Sequence, residues 1–489
     1  MTLAKTLALL SPELVLLAGG LGILLLDMIW KDDEGKKDWL PYLTLVGLGG
    51  ALAAVIVVWR GLGGGVSALA TMLDVDALAM FICLMAVLVA ALVVVFSVEF
   101  VRGKTPYRGE FYAFLLFAAL GIALMAAATN LVLIYISVEL LSVTSYVLTG
   151  YLRGDAKSNE AAIKYFLYGA IVSAAMLYGM SLFYGITGTT DLRGIAEFFS
   201  DPASMSELHW VVFAAMVLLF AGLGFKIAAV PFHQWAPDAY EGAPTPVTAF
   251  LSVGPKAAGF AVLLRVLIIG LPQFEADWTA LLAAISIVTM TLGNVVAIVQ
   301  KNIKRMIAYS SIAQAGYILI GLACLGADNY GLQGVLLYLL VYLFANLGLF
   351  AVVIAFSNAT GSDEIEDYAG LMRRSPWLAA GMVVFFLSLV GIPPTAGFFG
   401  KVLIFASAIR TQSYLLAAIG VLNGVISLYY YFNVVRQGFF LPPKEAAPIP
   451  AAPELRVALL VCMAVVLGIG VFPQPFIQLA QGVARLLAI

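Results

Sequence analysis

The sequence predicts an all-α membrane protein with about fourteen transmembrane helices, and three observations support this. The chain is 63% hydrophobic and only 11% of its 489 residues are charged, whereas soluble globular chains carry about 25% charged residues. Apolar runs of about 20 residues, the length that crosses the hydrocarbon core as a helix, recur along the whole chain. The runs are continuously apolar and do not alternate with polar residues, which favours helices over a barrel.

The positions of the apolar runs give the order of the spans. The runs fall at residues 10–30, 39–59, 75–99, 111–128, 130–151, 161–187, 210–230, 246–270, 278–299, 305–326, 331–357, 376–409, 413–436 and 455–480. The polar connections between them are too short for a soluble domain. We therefore expect one polytopic membrane domain over residues 1–489.

The basic residues predict the orientation of the spans. Of the 26 lysines and arginines, five lie on one side of the membrane and sixteen on the other, and the remaining five lie within spans. The five on the sparse side are Lys5, Arg60, Arg193, Arg410 and Arg485. Because basic residues concentrate in cytoplasmic loops, we expect both termini on the non-cytoplasmic side.

Several ionisable side chains lie where hydrocarbon is expected. Glu139 is in the fifth span, Lys226 in the seventh, Lys256 in the eighth and Lys401 in the twelfth. A charge at the bilayer centre costs at least a few kcal/mol, so such residues are candidates for an ion or proton path. A lysine held in hydrocarbon can change between its charged and neutral forms when a neighbouring charge changes. A Glu139–Lys226 pair that only holds helices together is the structural alternative.

For three further residues the sequence alone does not decide between a functional and a structural role. Lys164, near the start of the sixth span, and Arg265, near the end of the eighth, could extend their side chains to the lipid headgroups. His233 could relay protons, because the reference pKa of histidine lies near neutrality, or it could be a packing residue. We keep Lys164 and His233 as candidate sites and expect Arg265 to reach the headgroups.

Two spans contain helix-breaking segments, and these predict an internal repeat. The seventh span runs into Val230 to Pro237, and the twelfth contains Gly391 to Gly397, with prolines in both. Proline interrupts a helix, and interrupted spans in matching positions mark ion paths in transporters with inverted repeats. The two breaks are five spans apart, so spans 4–8 and 9–13 are the expected repeats, in inverted orientation. The expected segments are three N-terminal helices (1–108), the first repeat (109–275), the second repeat (276–440) and a C-terminal helix (441–489).

The three cysteines argue against a redox centre in this chain. Cys83, Cys324 and Cys462 lie far apart in apolar runs, without the CxxC spacing of metal or disulfide motifs. We read them as small hydrophobic residues. No fingerprint for a flavin or a nicotinamide is present either, so we expect no cofactor and no metal in this chain.

Several motifs together resemble the antiporter-like membrane subunits of bacterial respiratory complex I, and among these the subunit N family. The stretch Pro231 to Phe250 (PFHQWAPDAYEGAPTPVTAF), the SVGPK segment that ends at Lys256, Ser158 to Phe166 (SNEAAIKYF) and Gly391 to Phe398 (GIPPTAGF) carry the resemblance. It covers essentially the whole chain. It implies a proton-translocating membrane-arm subunit of an NADH–quinone oxidoreductase, which couples quinone reduction to proton pumping without a redox centre of its own.

The resemblance also implies roles for single residues. Glu139 and Lys226 match the paired charges of the family, Lys256 its central lysine, Lys401 its terminal lysine, and Lys164 a further lysine on the sixth span. It implies that FMN, iron–sulfur clusters and quinone belong to other subunits. The expected partners are a neighbouring antiporter-like M subunit, small K/J/A/H-type subunits and membrane lipid, with no nucleic acid, in the bacterial inner membrane.

Three other functions stay open at this point. One is a subunit of a multi-subunit cation/proton antiporter, which the Tyr240-Glu241-Gly242 context argues against. Another is a related subunit of a membrane-bound hydrogenase complex. The last is a purely structural membrane subunit, in which the deep charges would have no transport role.

Overall fold

A computed structural model of the protein describes residues 3–31, 33–62, 64–69, 71–326, 329–445 and 447–487, with the side chains of 202–206 and 486–487 outside the described set. The helices are α1 (Leu3–Leu9), α2 (Ser11–Ile29), α3 (Glu34–Lys37), α4 (Leu40–Gly61), α5 (Ala77–Lys104), α6 (Arg108–Ala127), α7 (Leu131–Thr149), α8 (Ala156–Thr187), α9 (Leu192–Phe198), α10 (Pro202–Ile227), α11 (Trp235–Gly242), α12 (Thr245–Arg265), α13 (Glu275–Ile298), α14 (Ile303–Ala323), α15 (Tyr330–Thr360), α16 (Leu371–Arg374), α17 (Pro376–Val390), α18 (Ala396–Arg410), α19 (Tyr414–Phe440), α20 (Pro453–Val471) and α21 (Gln474–Leu487). A π-helical turn (Val266–Gly270) and two 3₁₀ turns (Pro272–Phe274 and Ile365–Tyr368) complete the helical structure.

The expected multi-span α-helical architecture is confirmed. In the described part of the chain, thirteen helices are long and apolar enough to cross a bilayer unbroken. The twelfth expected span is instead divided into α17 and α18, which are each too short to cross alone. The protein is therefore a multi-pass membrane protein, with the fourteenth crossing made by a broken helix.

Two small elements were not expected from the sequence. Between α4 and α5, β1 (Val66–Ala68) and β2 (Leu73–Val75) pair as an antiparallel hairpin with Val66 opposite Val75. The last expected span, 455–480, is shorter than its apolar run, because α20 ends at Val471 and a separate helix, α21, begins at Gln474. The hairpin lies in the connection between the second and third expected spans, whereas the expected run 455–480 continues across the short gap between α20 and α21, so the sequence did not separate those two helices.

The same arrangement of five helices occurs twice. In α6–α12 and again in α13–α19, the first helix packs against the second and the fifth, and the third packs against both halves of a broken helix. Backbone contacts repeat as well: Asn130, which caps α7, bridges to Asp191, and Asn302, which caps α14, bridges to Glu364. Since each unit crosses the membrane five times, the second unit enters it from the side opposite to the first.

Both breaks lie where the prolines predict them. Helix α10 ends at Ile227 and α11 begins at Trp235, while α17 ends at Val390 and α18 begins at Ala396. The Val230–Pro231 and Pro393–Pro394 peptide bonds are cis. Gly391 caps α17 at φ 93°, in the left-handed region, where a Cβ atom would also lie 2.9 Å from Cδ of Lys401. A glycine there lets the lysine approach the end of α17.

Burial separates central from peripheral helices. Helices α12, α14 and α15 are almost completely enclosed, and α5 and α6 are mostly so. In contrast, α2, α4, α8, α13, α19 and α20 each expose an apolar face, as expected for helices in contact with lipid or partner subunits. Lys256 and Arg265 on α12 are therefore surrounded by protein.

Candidate functional site

Lys226 lies in the last turn of α10, immediately before the first break. Its side chain is buried, and its Nζ donates to Oγ of Ser142 on α7 at 2.6 Å. Ser142 lies three residues after Glu139, so both side chains lie on the same face of α7. Helix α7 thus presents a carboxylate and a hydroxyl to the break.

Glu139 is half-buried and lies close to Lys226 without touching it. Its carboxylate accepts a hydrogen bond from the hydroxyl of Ser173 on α8. Glu139, Ser142, Ser173 and Lys226 all line one small cavity. No ion pair within 4 Å joins Glu139 to Lys226. The two expected partners are therefore brought together across a cavity, and Ser142 is the direct contact of the lysine.

Lys256 connects the first repeat to the second. Its buried Nζ donates to the carbonyl oxygen of Ile227, the last residue of α10, at 3.1 Å and to that of Ser311 on α14 at 2.7 Å. Gly259, one turn further along α12, permits this approach, because a Cβ there would lie 2.7 Å from Cγ2 of Ile227. One ammonium thus contacts the first broken helix and helix α14 of the second unit.

Lys401 occupies a similar place at the second break. Its Nζ donates to the carbonyl oxygens of Leu389 at 2.8 Å and Val390 at 2.9 Å and lies 4.1 Å from the ring centroid of Tyr317. The last carbonyls of a helix lack internal partners, and a positive charge there is favourable. Lys256 and Lys401 therefore each stabilise the end of the first half of a broken helix.

A group of uncharged polar side chains fills the space between Lys256 and Lys401, and sequence reasoning missed it. Nε2 of Gln314 on α14 donates at 3.0 Å to the Leu389 carbonyl that also accepts from Lys401. Ser311, one turn earlier, accepts at 2.8 Å from the hydroxyl of Tyr342. The signal that could have found them is the run of serine and glutamine within the otherwise apolar α14. One turn of α14 thus contacts Lys256 through Ser311 and the acceptor of Lys401 through Gln314.

Lys164 lies in a different environment from the four residues above. Its side chain is 48% exposed and pairs with Glu160 at 2.8 Å and with Asp238 on α11 at 2.9 Å. The carboxylate of Asp238 also accepts from Arg305 on α14 at 2.7 Å. The structure therefore places Lys164 in an ion-pair cluster at an open cleft and not in the buried chain.

His233 and Arg265 differ in how they match expectation. His233 is buried in the break between α10 and α11, and its Nδ1 has no hydrogen-bond partner.

Arg265 was expected to reach the headgroups, and that expectation is wrong. Its guanidinium is fully buried and pairs with both carboxylate oxygens of Asp76, at 2.8 and 2.9 Å. The sequence alone could not show that a carboxylate from the start of α5 would meet it there.

The potential metal and thiol ligands are dispersed. Within the described ranges, no group of three histidine, cysteine, aspartate or glutamate side chains could hold a metal ion. The three cysteines are free and buried, as expected. Glu139, Lys226, Lys256 and Lys401 are the chargeable side chains at the two breaks and between them, and such groups at membrane depth are suited to proton transfer.

The sequence matches a known family of membrane proteins over most of its length. The family described as "NADH:quinone oxidoreductase/Mrp antiporter, TM" matches residues 128–427. The chain is 42% identical to NADH-quinone oxidoreductase subunit N of Heliobacterium modesticaldum, over 98% of this chain and 99% of the relative. It is also 42% identical to the subunit N of Trichlorobacter lovleyi, over 97% and 96%. The chain belongs to the NADH:quinone oxidoreductase/Mrp antiporter membrane family. The resemblance seen in the motifs is thereby confirmed.

Solved structures of the antiporter family have the same fold. A chain of respiratory complex I from Thermus thermophilus with bound aureothin matches with a TM-score of 0.80 and 34% identity, over 96% of this chain and 98% of that one. A chain of the Mrp complex from Dietzia sp. matches with a TM-score of 0.85 at 21% identity, over 100% and 98%. The second likeness is one of fold alone.

Proposed function

We propose that this chain translocates protons as a membrane-arm subunit of an NADH–quinone oxidoreductase. The observation that carries the proposal is the position of Lys256. Its ammonium contacts both the end of α10 in the first repeat and helix α14 in the second. A proton path through both repeats needs a chargeable group at that junction. The family membership and the identity to subunit N relatives support the identity of the complex.

The proposed path runs from Glu139 through Lys226 and Lys256 to Lys401. A change in the charge of Glu139 alters the stability of the charged form of Lys226 across their shared cavity. Lys226 and Lys256 are coupled because Lys256 binds the carbonyl of the residue next to Lys226. The turn of α14 from Ser311 to Gln314 then connects Lys256 to the carbonyl that Lys401 binds.

Lys164 and His233 are proposed at the margin of this path. Lys164 lies in the charged cleft next to the end of α11, where protons from the aqueous side would first meet titratable groups. His233 lies in the break itself, and its unpartnered Nδ1 is available to accept a proton. Both residues remain proposals.

The place of the chain in the cell follows from the same proposal. The chain would lie in the bacterial inner membrane with both termini on the non-cytoplasmic side, as its basic residues predict. The M-type neighbour and the small K/J/A/H-type subunits would cover part of its exposed apolar faces. FMN, iron–sulfur clusters and quinone would be held by other subunits, and this chain would supply the translocase activity only.

Replacing Lys226 by alanine tests the proposal. In the assembled complex reconstituted into vesicles, we expect Lys226→Ala to slow proton transfer through this chain by about 100-fold or more, the usual contribution of a positioned acid–base group. The number of protons pumped per NADH oxidised should fall, while the subunit composition of the purified complex stays unchanged. Both quantities are measured on the same preparation.

The control for Lys226→Ala is Lys36→Ala, which removes an exposed lysine from the short helix α3. It should leave the proton-to-electron ratio unchanged. A normal ratio in Lys226→Ala would refute proton transfer through Lys226. Sodium-dependent exchange by the isolated chain would instead identify a cation/proton antiporter.

A further inference from the structure

Six charged side chains of alternating sign form a cluster at the cleft beside α11. In order of contact they are Glu160, Lys164, Asp238, Arg305, Glu241 and Lys157. The cleft between them is open and has a volume of about 220 Å³. The charges cancel, so the cluster is neutral as a whole. Its members come from α8 and α11 of the first repeat and from α14 of the second.

Helix α11 depends on neighbours for its position. It has eight residues and no side-chain N-cap, and helices shorter than about 12 residues are marginal on their own. One face carries Trp235, Ala239 and Tyr240, all buried. The other carries Asp238 and Glu241, three residues apart and therefore on the same side of the helix. The interactions of these two carboxylates therefore hold the charged face of α11 against its neighbouring helices.

Arg305 binds both carboxylates of α11 from the other repeat. Its Nη1 lies 2.7 Å from Oδ1 of Asp238 and 2.9 Å from Oε2 of Glu241. Within the first repeat, α11 is held through Lys164 at 2.9 Å from the second oxygen of Asp238 and by Lys157 at a distance of 3.7 Å from Glu241. Hydrogen bonds between ionised groups are about twice as strong as neutral ones, so Arg305 makes the main polar contact between α11 and the second repeat.

The helix that carries Arg305 also carries the acceptor of Lys256. Arg305 lies in the first turn of α14, where its amide donates to the capping Asn302 at 3.2 Å. Ser311, whose carbonyl accepts from Lys256, is six residues further along the same helix, about 9 Å at 1.5 Å per residue. A displacement of α14 would therefore change both its contacts with α11 and its contact with Lys256.

We infer that Arg305 is a positioning residue which fixes α11 against α14 and so couples the cytoplasmic half of the first broken helix to the lysine at the repeat junction. The inference rests on the proposed function, since it adds to the path through Lys226 and Lys256. Arg305 itself does not accept or release a proton, because a guanidinium stays protonated in proteins. It sets where α11 lies relative to Lys226 while protons enter.

The test measures backbone hydrogen exchange of α11 in the assembled complex, together with the proton-to-electron ratio. We expect Arg305→Gln to speed exchange in residues 235–242 by about tenfold, because two charge-assisted hydrogen bonds are lost, and to lower the ratio. Arg305→Lys should restore both readouts, since one nitrogen makes both contacts in the arginine. Arg153→Gln, which removes an exposed arginine outside the cluster, is the matched control and should change neither.

Each result decides the inference. Unchanged exchange in Arg305→Gln overturns it, because α11 is then held by other contacts. Faster exchange with an unchanged proton-to-electron ratio also overturns it, because Arg305 would then be merely structural. The exchange measurement does not depend on pumping. If Lys226→Ala pumped normally, the proposed function would fail, but the exchange result would still show whether Arg305 fixes α11.

Discussion

Replacing Lys256 by methionine is expected to stop proton transfer between the two repeats. Methionine is similar in length but cannot bind a proton, and Lys256 is the residue whose ammonium contacts both the α10 end and α14. The expected loss is about 100-fold or more in proton transfer through this chain, the usual contribution of a positioned acid–base group. The measurement is the number of protons pumped per NADH oxidised by the reconstituted complex.

Lys256→Arg separates proton release from hydrogen bonding. Arginine keeps the positive charge and its donors but does not give up its proton. We therefore expect Lys256→Arg to fail as well, although it can still bind the carbonyls of Ile227 and Ser311. If Lys256→Arg pumps normally, a fixed positive charge at the junction is enough and the lysine is not a proton carrier.

The double variant Lys226→Ala, Lys256→Met tests whether the two lysines lie on one path. Groups acting in series show strongly non-additive losses. The double variant should therefore pump no less than Lys256→Met alone. A further loss equal to that of Lys226→Ala would indicate two separate paths.

Breaking the Arg265–Asp76 pair is expected to give the largest loss of stability among the changes considered. Arg265→Met leaves the carboxylate of Asp76 buried without its partner, which costs about 3–5 kcal/mol in typical buried pairs. The change also removes the donor to the carbonyl of Ala126 on α6. The measurement is the thermal unfolding of the chain within the purified complex, together with the amount of assembled complex recovered from membranes.

Arg102→Met is the matched control for Arg265→Met. Arg102, near the end of α5, pairs with Asp38, and the two side chains are 55% and 39% exposed. Exposed pairs contribute at most about 1 kcal/mol, so this variant should unfold close to the wild type. Equal destabilisation by the two substitutions would contradict the expectation that the burial of the Arg265–Asp76 pair makes its loss costly.

Four of the site residues could be found without the fold. Each stands in a long apolar run, where the cost of a charge in hydrocarbon makes it conspicuous: Glu139, Lys226, Lys256 and Lys401. The breaks next to Lys226 and Lys401 were equally visible, because proline cannot continue a helix and its effect is local. The expected span limits shifted mainly at α17, α18, α20 and α21, where short apolar helices follow one another without a polar gap.

Other features depended on contacts between segments far apart in the chain. The polar residues of α14 can be seen in the sequence, but only the packing of α14 against α18, which carries Lys401, brings Gln314 to the carbonyl that Lys401 binds. Lys164 and Arg265 appeared similar, as basic residues near span ends, yet one lies in an open cleft and the other is enclosed with Asp76. Their partners are 74 and 189 residues away in the chain, beyond the range of any local pattern.

The sequence by itself thus determined that this is a multi-span helical membrane protein with deep charges and two broken helices, because hydrophobic length, charge cost and proline geometry act on each segment separately. Only the tertiary structure decided which charges meet, since the helices of the two repeats bring together residues that no spacing relates. The direct partner of Lys226 is a serine, and one lysine, Lys256, contacts both repeats. Both facts depend on how the helices pack against one another.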